Sequence, residues 1–332
     1  MLTLASVFHG VNYHEDLNQV VVCITAVCLL LEVCYKFNSM VYQRANIKEA
    51  IQIVLDDRVY LEGPVEAAVC KKYDRLAKNL VYCSCVLYTF TCAVLIFYPV
   101  AAGLVKEQVL PVGCSIPFFD YTQHPWYMIN YIMNATLIVL LAVMFAGLDG
   151  PFYLFVCHCA AQLEILILYA SLIGENPDNP DEQRRIVGKM FDIHTRVSDF
   201  NSKCSRIFQD IFLSQTICST IHICVSLFHV QFNSKSNSFG MALTNVCKMW
   251  LFCYGGEFIK TKADEFNNAL YASRWYEQWI RRDLGDILFM MANAQRNYGF
   301  SVGGFRYLSY ETFKEIMKTA YTCNAFLQHV LN

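Results

Sequence analysis

The chain has 332 residues, of which 55% are hydrophobic and 16% charged, with a formal net charge of −2. A water-soluble domain carries about a quarter charged residues, and so weak a net charge, with no basic block, excludes nucleic acid as a partner. The sixteen cysteines do not suggest a secreted disulfide scaffold, because most lie inside apolar runs, where they act as small hydrophobes; Cys114 is the clearest exception.

Apolar runs close to the ~20 residues that a helix needs to cross a bilayer recur in chain order, at about 17–37, 80–100, 128–155, 207–230 and 241–259. The third runs on toward Ile173 through Asp149-Gly150-Pro151, and its far half is expected to continue as a helix beyond the membrane. A sixth and least apolar segment closes the chain at 306–332. The pattern predicts an all-α multi-pass membrane protein embedded in a lipid bilayer. Positive charge collects in alternate loops. Arg44, Lys48, Arg58, Lys71, Lys72 and Arg75 follow the first span, with Lys36 at its edge, and further clusters follow the third and fifth. The intervening loops hold little more than Lys106 and Lys235. The positive-inside rule places the basic loops in the cytoplasm and the C-terminus outside. Six spans would also put Met1 outside, which points to an earlier span that this sequence lacks.

The basic loops are patterned as amphipathic helices. In the loop before the last span, Leu284, Ile287, Leu288, Met291 and Ala294 recur at helical spacing, and this face packs either on its own chain or on another subunit. The last span, predicted from Leu308 to Leu331, carries Glu311, Glu315, Lys318, Thr322 and His329 on one side. Ile316, Ala320, Cys323, Leu327 and Leu331 lie opposite.

Several local signals lead nowhere. "DDRVY" at Asp56–Tyr60 is far from any span, unlike the Asp-Arg-Tyr of G-protein-coupled receptors. Consecutive residues of Cys157-His158-Cys159 diverge by about 100° on a helix and do not face one ion. Asn134-Ala-Thr136 is a glycosylation sequon lying inside a span. No Walker loop, nucleophile elbow or zinc-ligand spacing is present, and nothing points to an enzyme, a cofactor or a metal. Ionisable residues within spans are better clues. Lys248 either snorkels to the interface or serves a function at mid-depth. Asp149 either satisfies backbone groups freed beside Pro151 or marks a site.

Ordered motifs in the C-terminal third carry a resemblance. Gly255 and Gly256 end a span, Tyr271 and Trp275 form a Tyr-x-x-x-Trp step, and Leu308, Ser309, Thr312 and Phe313 open the last helix. The segment around His194 fits with them, as do Asp149 and His158 in the long third run. Together they resemble the insect odorant receptor family. That family has seven spans, and this chain fits the second to seventh, "MLTLASVFHG" being the tail of the first. Tyr321 and Gln328 are one residue too far apart for the Tyr and Gln of the sister gustatory family.

The resemblance implies an odour-specific subunit of a ligand-gated, non-selective cation channel in the plasma membrane of olfactory neuron dendrites, assembled as a tetramer with a shared co-receptor. It implies a bundle over 1–259, a cytoplasmic anchor over 260–305 and a pore-lining span over 306–332. Small volatile odorants would bind in the outer half of the membrane among Val21, Ile24, Thr25, Tyr88, Thr91, Cys92, Leu95, Asn134, Ile138, Leu141, Thr244, Cys247, Lys248 and Leu251. Cations would pass Met317, Tyr321, Asn324 and Gln328, and Leu284, Ile287, Leu288 and Met291 would join subunits. The alternatives are a gustatory-type homomeric channel and a secondary transporter; the transporter would show an inverted repeat, and none is found.

Overall fold

Few glycines and prolines interrupt the apolar runs, and the helices are correspondingly long. The computed structural model describes residues 17–59, 63–101, 110–111, 125–175, 179–232, 238–276, 281–295 and 298–331. The expected tail of a first span in residues 1–16, the loop residues Lys106, Cys114 and Lys235, and the side chain of Val21 lie outside what is described. In chain order the helices are α1 (Leu17–Tyr42), α2 (Arg44–Val59), α3 (Pro64–Ala101), α4 (Trp126–Leu172), α5 (Pro180–Phe232), α6 (Ser238–Ala272) and α7 (Arg281–Ala294). A two-stranded antiparallel hairpin, β1 (Ser301–Val302) with β2 (Arg306–Tyr307), precedes α8 (Tyr310–Leu331).

Several of these helices are longer than a membrane is thick. At 1.5 Å per residue the 47 residues of α4 reach about 70 Å and the 53 of α5 about 80 Å, against a hydrocarbon core of ~30 Å. The amphipathic loop helix expected before residue 207 and the span after it are therefore one continuous helix, α5. Likewise α6 runs unbroken past Ile259 to Ala272, so the expected boundary at 259/260 falls inside a helix. α4 remains helical through Pro151.

Burial divides each long helix in two. The second half of α4 is almost wholly enclosed, and Phe152 packs its ring 5.0–6.0 Å from those of Phe208, Phe212, Phe252 and Phe300. Around this aromatic core, carboxylates from one helix tie others in place. Glu164 receives Lys72, Lys262 and the Tyr73 hydroxyl; Asp57 of the "DDRVY" stretch receives His158 and Arg196; Glu66 receives Lys189 at 2.8 Å and the Tyr169 hydroxyl. Toward the other end, α3 and the first half of α4 leave Tyr82, Phe90, Phe97, Ile132, Leu140 and Val143 more than half exposed. An apolar surface that continuous belongs in lipid. Among the described residues, α1, α3, α4 and α5 have the length and hydropathy to cross a membrane; α6, with Lys248, and α8, with its polar face, fall outside that composition.

The motif residues of the C-terminal third have physical reasons. A Cβ on Gly256 would lie 2.2 Å from the Leu308 carbonyl oxygen, and one on Gly255 would lie 3.0 Å from the Phe152 ring. Gly256 thus lets α6 touch the segment that leads from β2 into α8, and Gly255 lets it pack on α4. Ser309 caps α8, its hydroxyl accepting from the Thr312 N–H at 3.2 Å, while the Thr312 hydroxyl donates to the Tyr307 carbonyl at 2.7 Å. At the hairpin turn, Gly303 adopts φ +60° and donates its N–H to the Gln209 carbonyl at 3.0 Å, fixing the turn to α5. Gly256→Ala is expected to cost about 1–3 kcal/mol, since the obstacle is backbone rather than a movable side chain. Thermal melting of the detergent-solubilised protein checks this; an unchanged midpoint would mean the α6–hairpin contact is loose.

Candidate functional site

Three helices present matching faces to one another at the exposed end of the bundle. On α3 the sequence repeats at Tyr88, Thr91, Cys92 and Leu95; on α4 at Ile138, Leu141, Ala142 and Phe145; on α6 at Met241, Thr244, Asn245 and Lys248. Each set follows helical spacing, so each is one stripe. With Leu29 of α1 and His222 of α5 they wall a partly open cavity of about 640 Å³, the solvent space at its mouth included. The wall is chiefly apolar, with a few placed polar groups, which is the make-up of a small-molecule site.

Those polar groups are engaged with one another. The Thr91 and Thr244 hydroxyls meet across the helices at 2.8 Å, and the Cys92 thiol donates to the Ile138 carbonyl at 3.6 Å. Asn245 Nδ2 lies 2.7 Å from His222 Nδ1. At one end of the cavity lie two buried ion pairs. Lys248 Nζ donates to Glu32 Oε1 at 2.7 Å, and Lys36 Nζ to Asp149 Oδ1 at 2.5 Å; the Tyr88 hydroxyl donates to Asp149 Oδ2 at 2.5 Å. All four charged side chains are 2–4% exposed. Phe145 serves both cations, with Lys36 Nζ 5.4 Å and Lys248 Nζ 4.9 Å from its ring centre. The cluster carries no net charge, which is what permits four ions to be buried together.

These contacts decide the open questions about the spans. Lys248 does not snorkel, because its ammonium is enclosed and paired. The carboxylate of Asp149 engages side chains of α1 and α3 and not backbone groups freed at Pro151. Lys36, expected at the edge of a basic loop, is instead buried one helical turn from Glu32 on α1, so both pairs draw on that helix.

Of the expected ligand-binding residues, the structure gathers Tyr88, Thr91, Cys92, Leu95, Ile138, Leu141, Thr244 and Lys248 into one wall. Five others whose side chains are described stand elsewhere. Ile24 is 41% exposed on the outside of α1, Thr25 and Asn134 are buried away from the cavity, and Cys247 and Leu251 are half-buried on other faces of α6. Asn134 Nδ2 donates to the Asn130 carbonyl one turn earlier on its own helix. Leu29, Ala142, Phe145, His222, Met241 and Asn245 line the cavity without having been expected. Five of them lie at helical spacing from residues that were, which was the available signal; His222 had none.

On α8 the apolar face packs against α5. Ile316 and Ala320 are buried, and Met317 and Leu327 lie against Ile223 and Cys224. Two residues exchange expected places. Cys323 is exposed and Asn324 is buried at 4% exposure, because the packed seam steps from Ala320 to Asn324 and then Leu327. Tyr321 is 70% exposed, and the half-buried Gln328 donates its amide to Gln231. On α7, Ile287 and Met290 are fully buried in the chain's own core, with Met291 packed beside them and Leu284 half-buried. Leu288 is 48% exposed, so the buried stripe is rotated toward Met290 from the one the spacing suggested.

Fold and cavity together define a multi-pass helical membrane protein. The family of 7tm odorant receptors matches residues 13–321, and the chain belongs to it. Odorant receptor 47a of Drosophila melanogaster is 25% identical over 227 residues, which cover 64% of this chain and 57% of that receptor. Odorant receptor 22c of the same fly is 23% identical over 259 residues, covering 70% and 62% respectively. These alignments thus span about three fifths of each relative's length. Among solved structures, the insect olfactory receptor OR5 from Machilis hrabei in complex with eugenol superposes with a TM-score of 0.82 over 98% of this chain and 88% of that one, at 14% identity. That is a likeness of fold.

Proposed function

We propose that this protein is an odour-binding subunit of a ligand-gated, non-selective cation channel, which binds small volatile odorants in the cavity between α3, α4 and α6 and opens a tetrameric pore together with a shared co-receptor. The observation that carries this reading is the partly open, mostly apolar cavity built from facing helical stripes in a chain of the odorant receptor family. A relative of the same fold was solved with eugenol, a small aromatic volatile, which supports the ligand class.

The mechanism follows from which helices share the cavity. α6 supplies Met241, Thr244, Asn245 and Lys248 to the wall and, through Gly256 and Glu257, meets the start of α8. A ligand that prefers one separation of α3, α4 and α6 shifts the population toward that state, and the shift passes along α6 to α8. α8 is proposed to line the pore with its exposed face, where Glu311, Lys318, Tyr321 and Thr322 can border water without meeting hydrocarbon. Asn324 serves instead in the packing of α8 against its own bundle. α7, with Leu288 and Phe289 half exposed, is proposed to contribute to subunit association.

Whole-cell recording from cells expressing the chain with and without co-receptor tests the proposal against a panel of volatiles. Odour-evoked cation current only when both are present is the expected result. Current from the chain alone would favour a homomeric channel, and uptake without current would favour a transporter. Gln328→Leu is expected to change conductance or ion preference while the rank order of ligands stays the same. A change in odour selectivity alone would remove Gln328 from the ion path.

A further inference from the structure

His222 carries a feature that the receptor reading leaves unused. It lies on α5, is 2% exposed and lines the cavity. Asn245 Nδ2 sits 3.0 Å from the Met241 carbonyl oxygen and 2.7 Å from His222 Nδ1. A carbonyl oxygen only accepts, so the amide group facing it is the NH₂, and that group's second hydrogen is directed at the imidazole. Nδ1 therefore accepts. The ring is neutral, and its single proton resides on Nε2.

Nε2 is buried without a hydrogen-bond partner. The other hydrogen-bonding side chains of the wall are already engaged. The Tyr88 hydroxyl donates to Asp149, the Thr91 and Thr244 hydroxyls are within reach of the Leu87 and Gly240 carbonyls, the Cys92 thiol of the Ile138 carbonyl, and Lys248 is paired with Glu32. An N–H held out of water without an acceptor is costly, and the same cost becomes selectivity when a ligand can relieve it.

We infer that His222 is a specificity-determining residue of the cavity: its Nε2–H donates to the oxygen of an acceptor-bearing odorant, a ketone, ester, aldehyde or ether. The inference rests on the receptor reading above and narrows it to a chemical class. Hydrocarbons of the same shape fill the cavity but leave the N–H unpaired.

The test uses the full-length receptor with its co-receptor in whole-cell recording. The probes are methyl ketones and acetate esters of about six to ten carbons beside hydrocarbons in which a methyl or methylene group replaces the oxygen. The wild type is expected to respond to ketones and esters at concentrations about tenfold or more below those of the matched hydrocarbons. His222→Phe is expected to raise the half-maximal concentration for the oxygen-bearing probes about tenfold and to leave the hydrocarbons unchanged, closing the gap. His222→Gln, which retains an N–H donor, is expected to restore part of it. Surface labelling confirms that each variant reaches the membrane. An equal loss for all probes would reveal a structural role, and an unchanged gap would mean that water or a neighbouring side chain satisfies Nε2; either outcome overturns the inference. A wild type at the surface that stays silent to every probe would overturn the receptor reading itself, and the inference with it.

Discussion

Asp149→Ala is expected to remove most of the protein from the cell surface and to destabilise what remains by about 3–5 kcal/mol, the cost of leaving one partner of a buried ion pair unpaired. Since Glu32, one turn away, is already paired with Lys248, Lys36 would be left without a carboxylate of its own. It is 3% exposed, its ammonium contacts the Asp149 carboxylate at 2.5 Å, and the groups beside it are the faces of Phe145 and Phe252. The Tyr88 hydroxyl loses its acceptor as well. Replacing the set together, as Asp149→Leu with Lys36→Met and Tyr88→Phe, removes the orphaned charge and hydroxyl and is expected to recover surface level and melting temperature. Surface biotinylation and a thermal melt read both outcomes. A single variant as abundant and as stable as the wild type would show that water reaches Lys36, and the cluster would then not be sealed.

Ala142→Trp is expected to abolish odour responses in the usual range, shifting the half-maximal concentration about 100-fold or more, equivalent to ~2.7 kcal/mol. Ala142 is the smallest side chain in the wall, on the α4 stripe between Ile138 and Phe145. An indole there occupies the space that a ligand would take. Phe145, whose ring faces both buried ammonium groups, is left in place, so the bundle should tolerate this change better than one at Phe145. Currents evoked by an agonist of the co-receptor should persist. If they vanish with the odour response, the variant has failed to fold or assemble; if the odour response is intact, the ligand acts elsewhere.

How much of this was legible in the sequence depends on the range of the interaction. Helical stripes are local, so Tyr88, Thr91, Cys92 and Leu95 on α3, or Thr244 and Lys248 on α6, are grouped by spacing alone, and depth in the membrane brings the stripes level. Which way a stripe faces is not local. Thr25, Asn134, Cys247 and Leu251 lie at suitable depth but on other faces, because the packing of neighbouring helices sets each rotation. Pairings across the chain are less legible still. Lys36 looks like a loop charge until Asp149, 113 positions away, is placed beside it, and Glu32 meets Lys248 across 216. On α8 the apolar stripe was visible, yet the exchange of Cys323 and Asn324 depends on a seam that steps by four and then three residues against α5. The length of α5 was hidden for a simpler reason: a polar and an apolar stretch of sequence read as two elements even when nothing between them breaks a helix.

The contact between α6 and α8, on which the proposed mechanism relies, is built by residues the sequence marks out. Gly256 admits the Leu308 backbone at a distance that no larger side chain allows, Gly255 packs tightly on the Phe152 ring, and Glu257 accepts the Tyr310 N–H at 3.1 Å at the first turn of α8. In the proposed mechanism, these contacts are the route by which a movement of α6 would reach α8.

The most direct test of the central claim is a cryo-EM structure of the assembled receptor bound to an odorant that activates it. The account predicts ligand density between Tyr88, Ala142, Phe145 and Thr244, with both buried ion pairs intact beneath it. Density at any other site, with this cavity unchanged between the free and activated receptor, would contradict it.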